Sequence, residues 1–162
     1  MKPVTSRIAT GAVAGAAGTL ALDATTYLDM ALRGRPASST PEQTVARIAS
    51  LFRLPLPEDA ERRSSRLAAV GALLGMGAGV STGVVLTLLR SAAGPRGTVA
   101  TSGTAWAMAM AVGNGPMWVL GVTDPRTWSR VDWAADAVPH LAYAAAAVAT
   151  LRVIERGRQG GT

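Results

Sequence analysis

Long stretches without a charged residue alternate along this chain with short arginine-rich ones. Residues 67–89 contain no charge in 23 positions, and residues 97–123 contain none in 27. About 20 consecutive apolar residues in a helix cross the roughly 30 Å hydrocarbon layer of a bilayer. Two further apolar segments, 8–32 and 131–154, carry a few acids: Asp23 and Asp29 in the first, Asp132 and Asp136 in the last. The pattern predicts an all-α protein, a four-helix transmembrane bundle with helices at about 8–32, 67–90, 97–122 and 131–154. One domain accounts for the whole of 1–162.

Between the first two spans lies a polar connection. Arg33-Gly34-Arg35-Pro36 breaks the first helix with glycine and proline. Thr40-Pro41-Glu42-Gln43 then reads as a helix start, with Thr40 capping and Gln43 completing a capping box. Val45, Ile48, Ala49 and Phe52 follow on one face, which predicts a short amphipathic helix over about 41–53. Such a helix either lies flat in the interface or packs on the ends of its own bundle. Glu58, Asp59 and Glu61 suit the positive end of the next helix. The other links are short, so neighbouring helices run antiparallel and both termini share one side of the membrane. Lys2, Arg7, Arg90, Arg96, Arg152, Arg156 and Arg158 fall on that side; Arg33, Arg35, Arg47, Arg53, Arg62, Arg63, Arg66, Arg126 and Arg130 fall on the other. The first set is packed into very short segments, which favours a cytoplasmic location for both termini, in a bacterial inner membrane.

Composition sharpens this picture. The chain is 49% hydrophobic and only 4% aromatic, with 18 glycines. Its apolar residues are therefore small, a better match to close helix packing in lipid than to a soluble core. The net charge of +6 would suggest nucleic acid in a soluble chain, but these cations sit at segment boundaries, so no nucleic-acid partner is expected. Cysteine is absent and His140 is the single histidine, which leaves no donor set for a thiolate or multi-histidine metal site; no cofactor is expected. Lys2, Arg7 and the apolar run after them also fit a signal peptide cleaved near Thr19-Leu20-Ala21. Apolar character resuming through Leu32, with Gly11, Gly15 and Gly18 on a stripe, favours a retained helix.

In the second span Gly71, Gly75, Gly79 and Gly83 recur every four residues. They share one helix face, on which another backbone can approach closely. Gly11 and Gly15 offer a matching stripe in the first span, and Gly103, Ala107, Ala111 and Gly115 another in the third. The spacing leaves open whether these stripes pack within one chain or between copies.

Ionisable groups inside a membrane helix are candidates for function. Asp132, Asp136 and His140 share one face of the last helix, so Asp136 can reach His140. Asn114 lies in Gly113-Asn114-Gly115-Pro116, where the third helix is expected to bend. Alternating helix directions place Asp23, Asn114, Asp136 and His140 in one leaflet, as a candidate polar intramembrane site. Tyr27, Trp118, Trp128 and Trp133 occupy the same level, as interfacial aromatics do. Asp29 and Asp132 sit near the water boundary. The cluster reads either as a structural tie between helices or as a proton or ion site. No nucleophile elbow, phosphate-cradling loop or paired ligand motif accompanies these acids, so catalytic residues are not expected.

Gly11-Ala12-Val13-Ala14-Gly15 through Asp23, Gly34-Arg35-Pro36, and Pro139-His140-Leu141-Ala142-Tyr143 resemble the YagU-like small four-helix bacterial inner-membrane proteins of unknown function. The resemblance implies the same membrane topology and no activity. Two main functions then compete: a non-enzymatic packing or assembly role, as an oligomer or within a larger complex, and a small transporter or channel element carrying protons or a small solute. A membrane enzyme using His140 with Asp136 as an acid–base pair ranks below both.

Overall fold

Residues 3–93 and 97–158 are described in the computed structural model. Helices α1 (Val4–Arg33), α2 (Thr40–Leu51), α3 (Ala60–Ala93), α4 (Thr98–Val119) and α5 (Arg130–Gly157) follow in order, with a 3-10 turn at Pro125–Thr127 before the last. The fold is an all-α helical bundle. Three of its helices, α1, α3 and α5, are long and apolar enough to cross a membrane. The charge-free α4 falls short of that standard because Thr98, Thr101, Ser102, Thr104, Asn114 and Pro116 dilute its apolar residues. Lys2 and Arg96, counted above, lie outside the described residues.

Helix boundaries follow local chemistry more closely than the apolar pattern. Gly34, with φ of 62°, closes α1 in a left-handed turn that glycine adopts at little cost. The helix α3 starts seven residues before its apolar run. Asp59 Oδ1 accepts the Arg62 amide at 2.8 Å, which caps a first turn carrying Glu61, Arg62 and Arg63, with Arg66 in the next. At the other boundary, α4 ends at Val119, where Leu120 N–H still bonds to the Pro116 carbonyl and Gly121, at φ of 70°, turns the chain. The capping box is found at the start of α5, where Ser129 and Asp132 exchange side-chain and backbone bonds. The expected cap at Thr40 is displaced: Ser39 is the N-cap residue, and Gln43 Nε2 donates to its hydroxyl at 2.8 Å. Ser39 makes no side-chain bond to a backbone amide of the first turn, so no capping box forms there.

Helix α1 lies between α3 and α5 and packs extensively on both. It meets α3 backbone to backbone. A Cβ added at Gly11 would sit 2.6 Å from the Val84 Cα and 2.7 Å from the Gly83 carbonyl; one added at Gly15 would sit 2.7 Å from the Gly79 carbonyl. On the facing helix, a Cβ at Gly83 would strike the Gly11 carbonyl and the Gly15 backbone. Facing α5, Gly18 leaves room for the Tyr143 ring, whose hydroxyl donates to the Gly79 carbonyl at 2.6 Å. Tyr143, Ala144, Ala147, Val148 and Leu151 of α5 are buried with Ala14, Leu86 and Ala105 in the core. At the terminal end, Arg90 binds Glu155 through two hydrogen bonds and Arg158 reaches the Thr10 hydroxyl at 2.9 Å. The start of α1 and the end of α5 therefore lie together.

The expected α3 glycine stripe does not act as one surface. Gly79 and Gly83 face α1, whereas Gly71 faces α2, with Pro41 Cβ 3.1 Å from the site of an added Cβ. Gly75 is a correction: a Cβ there would meet nothing within 4 Å. The close approach of α1 ends at Thr19 against Gly79, before the helices reach the level of Gly75. On α4 the stripe Gly103, Ala107, Ala111 and Gly115 is likewise not packed; the buried positions are Thr101, Ala105 and Ala109. Helix α2 packs on α3 with Val45 and Ala49 buried, and leaves Phe52 of its expected apolar stripe exposed.

Candidate functional site

The start of α5 and the end of α4 set the position of the polar cluster. The Ser129–Asp132 box fixes where α5 begins, so Asp136 lies about 9 Å further along the axis at 1.5 Å per residue. Opposite it, Asn114 sits in the last turns of α4. Its Nδ2 donates to Asp136 Oδ2 at 2.8 Å, joining the two helices. A second tie runs from Trp106 Nε1 to the Ala137 carbonyl at 3.2 Å.

His140 completes the group. Its Nδ1 lies 2.7 Å from the Asp136 carbonyl and 3.7 Å from Asp136 Oδ1. A carbonyl only accepts, so Nδ1 carries the proton and Nε2 is left as an acceptor in the neutral ring. Nε2 points at α4, where a Cβ on Gly113 would lie 3.0 Å away. Gly113 is therefore space for an imidazole, and α4 runs on as unbroken helix through Gly113 and Pro116. The His140 side chain is 12% exposed and that of Asp136 is 23% exposed, so the pair is sheltered but not sealed.

Of the four site residues, three converge: Asn114, Asp136 and His140. Asp23 has no hydrogen bond or ion pair among the described residues, so nothing joins it to them. Asp29 and Asp132 serve local structure. Asp29 pairs with Arg35 at 2.5 Å and Arg33 at 3.4 Å, and Asp132 caps α5. In the α4–α5 turn Asp124 binds Arg126, whose guanidinium holds its carboxyl below the usual carboxylate range. No group of three or more metal-ligating side chains occurs among the described residues.

Beside the cluster opens a lateral cleft of about 290 Å³. Ala107, Met110, Ala111, Asn114 and Gly115 form its floor, and Trp118, Pro125, Trp128 and Trp133 its walls. Trp128 and Trp133 meet edge to face, 5.1 Å apart and inclined by 63°. Trp128 is held by a bond from its Nε1 to the Thr123 hydroxyl at 2.9 Å. Sequence reasoning treated the tryptophans as interfacial markers and missed the cleft. Their clustering at one end of two adjacent helices was the available signal. It also gave Tyr143 no role, although a tyrosine amid alanines is a natural core anchor.

Comparison with protein-family models, curated proteins and solved structures gives no match for this chain.

Proposed function

We propose that the chain is a small multi-pass membrane protein in which α4 also crosses the bilayer, and that its role is packing or assembly rather than catalysis. The observation that carries the fourth span is how the polar atoms of α4 are satisfied. Thr101 and Thr104 donate to the carbonyls of Gly97 and Ala100, Trp106 to Ala137, and Asn114 to Asp136. Polar groups bonded inside the protein lose most of the desolvation penalty that keeps them out of lipid. At 22 residues, α4 is about 33 Å long, enough for the hydrocarbon layer.

Assembly is supported by the contrast between the two small-residue surfaces. The α1–α3 surface is consumed within the chain, while Gly103, Ala107, Ala111 and Gly115 on α4 remain uncovered. Small residues of this kind admit a neighbouring helix of a second copy or a larger complex. An inner-membrane location with both termini cytoplasmic goes with this reading, on the arginines packed into the short segments of the terminal side. Ala111→Leu tests the assembly reading. It should abolish cross-linking between α4 helices in native membranes while leaving the chain folded; cross-linking unchanged from the parent protein would refute it.

A second reading rests on the convergence of Asn114, Asp136 and His140. A carboxylate and an imidazole in contact, partly accessible, could relay a proton or hold a small solute. Proton flux into vesicles that is lost in both Asp136→Asn and His140→Ala would favour it over assembly alone.

A further inference from the structure

The cleft on α4 has a chemistry of its own. Its lining contains three indoles, one proline, one methionine, three small residues and one amide, and no basic residue. Trp118 and Trp133 are 51% and 43% exposed, so much of their ring surface is uncovered. The face of an indole is electron-rich and attracts cations, quaternary ammonium groups in particular. Behind the amide of Asn114, one hydrogen bond away, lies the Asp136 carboxylate. No lysine or arginine pairs with it among the described residues; its charged neighbour, when protonated, is His140 at 3.7 Å. In a low-dielectric setting such a carboxylate projects a negative field over several ångströms. The wall and the floor therefore favour the same sign of ligand.

Shape adds a second requirement. From Gly115 to Ala107 the floor follows α4 for eight residues, about 12 Å of axis, and Gly115, Ala111 and Ala107 leave a shallow channel there. At about 290 Å³ the space is at the small end for an organic ligand and suits one alkyl chain rather than two. We propose that this cleft binds a lipophilic organic cation: a quaternary ammonium head among Trp118, Trp128 and Trp133, with a single alkyl tail along Ala111 and Ala107. The ligand enters sideways from the lipid. Asn114 passes the charge of Asp136 to the site, which makes Asp136 a positioning residue. The proposal rests on α4 lying in the bilayer, as read above.

The test uses the full chain in phosphatidylglycerol nanodiscs and follows tryptophan fluorescence. A brominated dodecyltrimethylammonium should quench it saturably, whereas brominated dodecyl sulfate at matched membrane loading should give only the linear quenching of random collision. Asp136→Asn should weaken the cation's apparent affinity by about tenfold, the scale of a desolvated cation–carboxylate and cation–π site. Trp118→Leu should weaken it several-fold and Trp118→Phe much less; Trp118 is half exposed, so the fold is retained, which circular dichroism checks. In discs holding a single chain, where no second copy covers the α4 face, equal quenching by both amphiphiles, no saturation with the cation, or no effect of Asp136→Asn would overturn the proposal. Labelling of Ala107→Cys by a membrane-impermeant maleimide would instead overturn the fourth span, a separate failure with a separate readout.

Discussion

Where α1 meets α3, backbone touches backbone; where α4 meets α5, side chains reach across. The first contact is made by removing side chains at Gly11, Gly15, Gly79 and Gly83. The second is made by adding polar ones, Asn114 to Asp136 and Trp106 to a carbonyl. In lipid the hydrophobic effect does not bring helices together, so van der Waals fit and hydrogen bonds are the available forces. This chain assigns one to each side of its bundle. A glycine contact tolerates almost no displacement, since each backbone fills the space a Cβ would need. The α4–α5 contact adds its two side-chain ties to the packing of Ala105 and Ala109, and it is the one with a cleft beside it.

The difference is open to attack by substitution. Gly83→Leu should have the largest effect, because its side chain meets backbone that cannot move aside; a loss of about 4 kcal/mol or more is expected, seen as failure to accumulate folded protein in detergent. Asn114→Leu should cost about 1–2 kcal/mol by stripping Asp136 of its donor, read as a lower unfolding midpoint, with hydrogen exchange raised in α4 and unchanged in α1. Removing one hydroxyl in Tyr143→Phe should cost about 0.6–1 kcal/mol. Gly75→Ala should be neutral or stabilise by up to about 1 kcal/mol, since the added methyl meets open space; destabilisation would show that the stripe extends further than the α1 contact. The smallest effect is in the α4–α5 turn. Arg126 depresses the Asp124 carboxyl, so its contribution is complete above about pH 4 and disappears as the pH falls through the depressed folded value. Acidification should loosen this turn, detected as faster exchange around residues 123–128, without touching the α1–α3 contact.

The apolar pattern carried the helices and their order, because period and length survive any packing arrangement. It could not supply partners. Four glycines at equal spacing look alike in sequence, yet Gly71 meets α2, Gly79 and Gly83 meet α1, and Gly75 meets nothing. That outcome depends on where two helices diverge, which no single helix encodes. The same limit applies to the polar cluster. Spacing joined Asp136 to His140, and antiparallel order brought Asn114 near, but helix rotation decided that Asp23 has no link to them. The three-span reading of hydropathy arises from α4's threonines and asparagine, whose bonding is invisible to a sum over residue types.

The length of α3 has an effect outside the bilayer. At 34 residues it measures about 51 Å, roughly 20 Å more than the hydrocarbon is thick. Its charged first turns, 60–66, carry the helix about 10 Å past its apolar run as a stiff post. The connection between α1 and α3 is divided by α2 into two gaps, 34–39 and 52–59. A protease that reaches this connection should cut it only in those gaps, and release no more than a short α2 fragment from it.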